Sequence, residues 1–151
     1  MIILLDSGIL LRLVDRADPL HSSVRASVRA LKVRGNRLVM APQNVAEFWN
    51  VCTRPATARG GLGLSIGETE TRLRLLERII RLLPDTPVAY SIWRSLVVSL
   101  GISGVQVHDA RLAALMYSHG VTHLLTLNTP DFQRYAGITA MDPHTAISAN
   151  S

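Results

Sequence analysis

The sequence predicts an α/β fold, a three-layer α/β/α sandwich around a central parallel sheet of four to five short strands. Short apolar runs of four or five residues alternate along the chain with longer segments of helical periodicity. Short apolar strands separated by helices are typical of a parallel sheet that is covered on both faces. With 151 residues, the chain is expected to form one domain, residues 1–151.

The first half of the chain supplies two predicted strands and three predicted helices. Residues 2–5 are an apolar run that predicts the first strand, and the residues after them have helical spacing. Pro19 begins a second helical pattern, which ends before Gly35. Residues 38–41 predict the second strand, and Pro42 begins the third helix.

A fourth helix is predicted after a glycine-rich segment. Residues 60–63 have the sequence GGLG and predict a mobile loop. Ser65 and Glu68 fit a capping box, which marks the start of a helix. Apolar residues at helical spacing extend this helix to Leu83, and Pro84 ends it.

The last third of the chain predicts two helices and two strands. One helix covers residues 88–100, and another begins near Asp109 and ends at Gly120, which is placed as a C-cap. Residues 123–127 predict a strand, a turn follows, and residues 138–141 predict the last strand.

The composition limits the class of protein. Hydrophobic residues make up 48% and charged residues 18%, which indicates a well-packed globular protein. Every long apolar run is interrupted by a charged residue, so no membrane association is expected. The apolar N-terminus lacks a basic region and contains Asp6, which argues against a secretion signal. We therefore expect a cytoplasmic protein, and the single Cys52 excludes an internal disulfide.

The charge favours a polyanionic partner. The net charge is +5, and Lys32 is the only lysine among the 16 basic residues. The planar guanidinium of arginine suits phosphate, and a positive field accelerates encounters with nucleic acid. For any individual arginine, a simple role in solvating the surface remains the alternative interpretation.

Four acidic residues stand at the edges of apolar segments: Asp6, Glu47, Asp109 and Asp131. In an open α/β sheet, ligands bind at the carboxyl ends of the strands, and three of these residues are predicted to reach that edge. Carboxylates that share a small volume repel one another unless a cation is present. The set therefore indicates a site for a hard divalent cation such as Mg²⁺ or Mn²⁺ that acts on phosphate.

Each acidic residue also has a structural interpretation. Asp109 fits an N-cap, Asp131 fits a turn and Glu47 fits an ordinary exposed side chain. Asp6 is harder to explain in this way, because a carboxylate at the end of an apolar strand is costly to bury without a partner. The functional interpretation depends on the four residues together.

Other phosphate-handling classes fit the sequence poorly. Neither GxxxxGK[ST] nor GxGxxG occurs. A receiver domain needs a lysine near its acidic pocket, but Lys32 lies in a predicted helix. A haloacid-dehalogenase-like phosphatase needs an aspartate where this chain has Gly8. An HD-type phosphohydrolase built on His108-Asp109 would be all helical, which the first strand argues against.

Four segments together resemble a known family: LLDSGILLRL, PQNVAEFWNVCTRP, VHDARLAALMYSHGVTHLLT and LNTPDF. In this order they are similar to the PIN-domain family, and within it to the VapC-type toxins of bacterial and archaeal toxin–antitoxin pairs. They span nearly the whole chain. The resemblance implies a PIN-like sandwich with a Mg²⁺- or Mn²⁺-dependent endoribonuclease site.

The resemblance also implies roles for particular residues. By position, the acidic quartet of the family and two supporting positions correspond to Asp6, Glu47, Asp109 and Asp131, with Ser7 and Asn128. Metal binding is expected at the three aspartates of the quartet, and Glu47 is expected to be a ligand or a base. One departure is Asn128, where many relatives carry a further aspartate.

The implied partners are an RNA substrate, a cognate antitoxin protein and a second copy of the chain in a homodimer. Two alternatives remain open at the level of sequence. The chain could be a PIN-like nuclease of RNA maturation or DNA processing, or a non-catalytic module that binds RNA or a protein.

Overall fold

A computed structural model describes residues 1–149, and the predicted α/β/α sandwich is confirmed. In chain order the elements are β1 (Ile2–Leu5), α1 (Ser7–Val14), α2 (His21–Val33), β2 (Arg37–Met40), α3 (Pro42–Thr53), α4 (Ile66–Glu77), β3 (Arg81–Leu82), α5 (Ala89–Ser99), α6 (Gln106–His119), β4 (His123–Leu125), a 3₁₀ helix (Thr129–Phe132), β5 (Thr139–Met141) and α7 (Pro143–Ser148).

The five strands form one sheet in the order β3-β2-β1-β4-β5, and every neighbouring pair is parallel. β1 occupies the centre, where Leu4 pairs with Val39 on one side and with Leu124 on the other. The carboxyl ends of all five strands therefore lie at one edge of the sheet, and the residues that follow them meet there.

Helices cover both faces of the sheet because successive strand residues point to opposite sides. Ile3 and Leu5 belong to an apolar cluster that includes residues of α1, α2, α3, α4 and α7. Leu4 belongs to a second cluster, which includes residues of α6 and the partly buried side of α5. Since both faces are buried, the central strand β1 is apolar along its length rather than alternating, as the sequence indicated.

The prediction of one long fourth helix through Leu83 is wrong. α4 ends at Glu77, and Arg81–Leu82 form the edge strand β3, which pairs with Val39 and Met40 of β2. Ile80 and Leu83 are buried, as expected, but they flank a strand instead of lying on a helix. Pairing with β2 has overridden a helical pattern that the local sequence also satisfies.

Two other regions differ from the expectations. Residues 60–63 lie in a loop, as predicted, and its predicted mobility stays a prediction. The sequence did not indicate that this loop folds back on the end of α3, where the backbone N–H groups of Leu62 and Leu64 donate to the carbonyls of Val51 and Cys52. A Cβ on Gly61 would lie 2.2 Å from the carbonyl oxygen of Pro55, so the close approach requires glycine there. The sequence analysis also missed α7.

The strands after α6 are shorter than predicted, since β4 ends at Leu125 and β5 begins at Thr139. Within residues 1–149, none of the helices has the length and apolar character needed to cross a lipid bilayer.

Candidate active site

The four predicted acidic residues are attached to elements that meet at the carboxyl edge of the sheet. Asp6 directly follows β1, and Asp131 lies in the 3₁₀ helix that follows β4. Glu47 is on α3, which begins two residues after β2, and Asp109 is in the first turn of α6. Asp109 is not the N-cap of its helix, because Val105 occupies that position.

Asp6 is held from several directions by neutral hydrogen-bond donors. The backbone N–H of Ser7 donates to Asp6 Oδ1 at 2.8 Å, and the hydroxyl of Thr126 donates to Oδ2 at 2.8 Å. The side-chain amide of Asn44 lies 3.5 Å from Oδ1, which is a long contact. Burial raises the pKa of Asp6 above its usual value, whereas the bonds from Thr126 and Ser7 act in the opposite direction.

Glu47 is connected to Asp6 through Ser7. The hydroxyl of Ser7 donates to Glu47 Oε2 at 2.7 Å, so this residue contacts both carboxylates of the pair. Gln43 donates from its side-chain amide to Glu47 Oε1 at 3.1 Å and to the backbone carbonyl of His108 at 2.8 Å. Gln43 thereby ties α3 to the start of α6, next to Asp109.

The charges of the quartet act on one another at Asp109. The pKa of Asp109 is raised to about 6, first by burial and then by the negative charges of Asp6, Asp131 and Glu47, in that order. His108 opposes this effect. Asp109 is therefore close enough to the other three carboxylates for their charges to raise its pKa, as expected of like charges that share a site.

No basic side chain neutralises this cluster within the part of the chain that the structure describes. The ion pairs formed by residues 1–149 are Arg12 with Asp18 and Arg74 with Glu70, and neither includes a member of the quartet. In a chain with 16 basic residues and 11 acidic ones, Asp6 and Glu47 are instead held by hydroxyl and amide donors. Such a set can accept a cation without first displacing a lysine or an arginine.

The donor chemistry fits Mg²⁺ or Mn²⁺, because carboxylate oxygens are the ligands these ions prefer. Asp6, Asp109 and Asp131 could hold such an ion. The ligands are not preassembled, however. Across residues 1–149, no group of three or more histidine, cysteine, aspartate or glutamate side chains is arranged to hold a metal ion. The side chains at this edge would have to draw closer together around a cation.

Two supporting residues were predicted from the sequence, and three were not. Of the predicted two, Ser7 bridges two carboxylates, and Asn128 donates its backbone N–H to the hydroxyl of Thr126 at 3.1 Å. Thr126, Asn44 and Gln43 were not predicted. Thr126 and Asn44 are fully buried polar residues that follow strands, and a polar residue at that position of an apolar segment was the available signal.

A family model confirms the relationship that the motifs indicated. The model of the PIN domain matches residues 3–138, which is nearly the whole chain and includes all four acidic residues. No curated protein sequence matches the chain significantly.

Solved structures with the same fold include three toxin or toxin–antitoxin proteins. VapBC2 from Rickettsia felis, bound to a DNA fragment from its promoter, has a TM-score of 0.68 and 15% identity, covering 94% of this chain and 98% of that chain. VapBC-1 from nontypeable Haemophilus influenzae has a TM-score of 0.65 and 20% identity, covering 95% and 99%. The sarcin-ricin loop cleaving toxin VapC20 from Mycobacterium tuberculosis has a TM-score of 0.55 and 17% identity, covering 81% and 86%.

Proposed function

The chain belongs to the PIN-domain family, and from this we propose that it is a metal-dependent endoribonuclease, the toxin of a toxin–antitoxin pair. Support comes from the quartet at the carboxyl edge of the sheet and from the fold shared with the toxin structures. The observation that carries the proposal is the position of four acidic residues at one edge of the sheet, none of which forms an ion pair with a lysine or an arginine within residues 1–149.

The cation would supply charge neutralisation at the phosphate and a more acidic water molecule. Asp6, Asp109 and Asp131 would hold it. Thr126 and Ser7 fix the rotamer of Asp6 through one hydrogen bond to each carboxylate oxygen. Outer hydrogen bonds of this kind orient metal ligands in proteins.

Glu47 is placed to handle the proton of the attacking water. Its two oxygens each accept one bond, from Ser7 and from Gln43, and each retains a lone pair for a water molecule. Transfer of the proton to Glu47 leaves a hydroxide that attacks phosphorus opposite the departing 3′ oxygen. The bond between phosphorus and the 3′ oxygen breaks, and that oxygen takes a proton from a solvent water molecule, so the products would carry 5′-phosphate and 3′-hydroxyl ends.

The test is cleavage of structured RNA in Mg²⁺ or Mn²⁺ by the wild type, Asp6→Asn and Asp109→Asn. Loss of a supporting residue around a metal typically costs roughly 10- to 100-fold, so we expect the loss of a ligand to cost at least about 100-fold. Glu77→Gln, which removes an exposed acid far from the quartet, is the matched control and should cleave at the rate of the wild type. Equal cleavage by all four proteins would reject the proposal.

A non-catalytic binding module is the second candidate, and the absence of a preassembled ligand cluster within residues 1–149 is the observation that favours it. Calorimetry separates the two functions. Binding of Mn²⁺ by the wild type that weakens in Asp6→Asn supports the nuclease. No divalent binding by the wild type, with RNA affinity unaffected by chelation, would favour the module.

The proposed partners follow from the toxin assignment: a cognate antitoxin, a second copy of the chain and RNA in the cytoplasm. Expression of the chain should arrest growth, and co-expression of a small protein encoded beside it should relieve the arrest. Asp6→Asn should be harmless to the cell and still bind that small protein. Growth arrest by Asp6→Asn equal to that by the wild type would contradict a toxin that acts through cleavage.

A further inference from the structure

A cavity of about 440 Å³ lies beside the acidic quartet, between α5 and α6 at the ends of β2 and β3. This volume is within the range of about 300–1,000 Å³ that small-molecule sites occupy. The side chains that give it chemical character are Gln43, Asp85, Thr86, Tyr90, Trp93 and Arg111. None of the four acidic residues lines this cavity.

The cavity opens at the same edge of the sheet as the quartet. Ala41 lines it and directly follows β2, just as Asp6 directly follows β1. Neighbouring strands are about 4.8 Å apart, so the ends of β2 and β3 are on the order of 5 and 10 Å from the end of β1. Gln43 connects the two sites, because its amide group binds Glu47 while its side chain lines the cavity.

One wall of the cavity is aromatic. The rings of Tyr90 and Trp93 have centroids 6.2 Å apart and are tilted by 33°. The indole N–H of Trp93 donates to the carbonyl of Val107 at 2.8 Å, which fixes that ring against α6. Tyr90 is 64% exposed on α5, a helix with no fully buried residue. Exposed rings of this kind offer a planar group a surface on which to stack.

The other wall has polar atoms without partners. Within residues 1–149, three buried side-chain polar atoms lack a hydrogen-bond partner, and two of them belong to residues of this cavity: Gln43 Oε1 and Thr86 Oγ1. Gln43 Oε1 can only accept, and the carboxylate of Asp85 adds further acceptors. Because these two atoms are themselves buried, a ligand with N–H donors would satisfy them only if the side chains of Gln43 and Thr86 turned toward the cavity that both residues line.

We propose that this cavity binds one unstacked nucleobase of the RNA, and that it prefers bases with an exocyclic amino group. The inference rests on the proposed ribonuclease function, and it names a specificity site for that reaction. The base lies against Tyr90 and Trp93, with its amino group directed to Gln43 and Asp85. Arg111, exposed on the turn of α6 that carries Asp109, faces the adjoining phosphate. Uracil lacks an amino group and presents carbonyls, so it fits an acceptor-rich wall poorly.

An aromatic side chain from a partner protein fits the cavity less well. A phenylalanine ring would fill the apolar part but would leave Gln43 Oε1 and Thr86 Oγ1 without donors. The exposed guanidinium of Arg111 also suits a phosphate group better than an apolar contact surface. We therefore assign the cavity to RNA rather than to an antitoxin or a second copy of the chain.

The experiment measures base binding without metal and without a cleavable bond. The chain has two tryptophans, so Trp49→Phe leaves Trp93 as the fluorescent reporter. This protein is titrated in EDTA with GMP, AMP, CMP and UMP. We expect saturable quenching by GMP, AMP and CMP, and affinity for UMP about tenfold lower. Tyr90→Ala should weaken binding of the first three by on the order of tenfold, as loss of a stacking ring typically does.

A matched pair of arginines controls for charge. Arg111→Ala removes a guanidinium at the cavity and should weaken mononucleotide binding. Arg94→Ala removes an exposed guanidinium of α5 that does not line the cavity and should leave binding unchanged. In cleavage assays, Tyr90→Ala should raise KM and leave kcat close to that of the wild type.

Several outcomes would overturn the assignment. The assignment is wrong if quenching is absent, if it is equal for all four nucleotides, or if Tyr90→Ala and Arg111→Ala leave it unchanged. None of these results would contradict the proposed ribonuclease function. A change in oligomeric state or antitoxin binding in these variants, without a change in nucleotide affinity, would also reject the assignment in favour of a protein contact. Nucleotide binding with the expected preference, in a wild type that cleaves no RNA, would support the base site and reject the ribonuclease.

Discussion

The two edges of the central sheet have opposite electrostatic character. At the carboxyl edge, the quartet of acidic residues is held by neutral donors such as Thr126 and Ser7. At the amino edge, a depression of about 480 Å³ lies near the starts of β2 and β3. Glu77 and four basic residues line it, and the basic residues are Lys32, Arg37, Arg78 and Arg81. The acidic quartet and these basic side chains therefore lie at opposite edges of the sheet and do not pair with one another.

The strand length explains why the basic edge leaves the quartet uncompensated. β1 and β2 each have four residues at a rise of about 3.3 Å, which separates the two edges by about 13 Å. This separation exceeds the Debye length of about 8 Å at physiological ionic strength. His108 opposes the repulsion at Asp109 in part, and a proton or a cation from solution would relieve the rest. The acidic edge is therefore a part of the fold in which like charges lower the stability of the metal-free protein.

The first prediction breaks the support of the acidic edge without removing a charge. Thr126→Val keeps the shape of a fully buried side chain but removes the hydroxyl that donates to Asp6 at 2.8 Å. We expect affinity for Mn²⁺ to fall by roughly 10- to 100-fold, since supporting hydrogen bonds around metal ligands typically have this effect. Calorimetry of Mn²⁺ binding measures it.

The control for this variant is Thr69→Val. Thr69 is also fully buried, and its hydroxyl donates to the backbone carbonyl of Ser65 at 2.9 Å, away from the quartet. Thr69→Val loses one hydrogen bond, and Thr126→Val loses two because the Thr126 hydroxyl also accepts from the backbone N–H of Asn128. Both variants should therefore be destabilised, but only Thr126→Val should lose metal affinity. Equal metal affinity in the two proteins would show that Thr126 does not orient a ligand.

The second prediction concerns stability and pH. The pKa of Asp109 is raised to about 6 in the folded state, above its usual value of 3.8, so the folded protein binds the proton more tightly than the unfolded chain does. The stabilisation by this proton is complete below pH 3.8 and is lost as the pH rises through 6. Metal-free wild type should therefore be more stable at pH 5 than at pH 7.5, and thermal unfolding at the two values measures the difference.

Asp109→Asn sharpens the same measurement. The asparagine carries no charge at either pH, so this variant should lose much of the pH dependence and unfold at a higher temperature than the wild type at pH 7.5 without metal. Asp109 is half-buried, and allowing for solvent screening we expect a gain of about 1 kcal/mol, or about 3 °C. A lower unfolding temperature for Asp109→Asn would contradict the repulsion at this edge.

The sequence predicted the position of the quartet better than the contacts that support it. Asp6 was identifiable because a carboxylate ends an apolar run, and proline and glycine punctuation placed α3 and α6 around Glu47 and Asp109. The Thr126 contact joins residues 120 positions apart, and no local pattern specifies which polar residue reaches Asp6 once the sheet has formed. Long-range pairing of this kind is decided by the topology of the sheet.

β3 shows the same limit within the fold. Leu76, Ile80 and Leu83 have the spacing of a helix face, and all three are buried. Hydrogen bonding to β2 takes Arg81–Leu82 into the sheet, because an exposed edge of β2 would otherwise leave its backbone groups without partners. α7 was missed although Asp142 and Pro143 are a typical N-cap and first residue of a helix.

The last prediction concerns the basic edge and has the smallest expected effect. Arg37→Gln combined with Arg81→Gln removes two positive charges at the starts of β2 and β3. These charges lie about 13 Å from the quartet, which is farther than the Debye length of about 8 Å. We therefore expect Mn²⁺ affinity and kcat to be unchanged. RNA affinity should change by about twofold at 0.15 M salt. The change in RNA affinity should grow as the salt concentration is lowered, since the remaining contribution is long-range attraction of the phosphates. A large loss of kcat or of metal affinity in the double variant would mean that the two edges are coupled through the sheet, and the division between an acidic functional edge and a basic solvated edge would then be wrong.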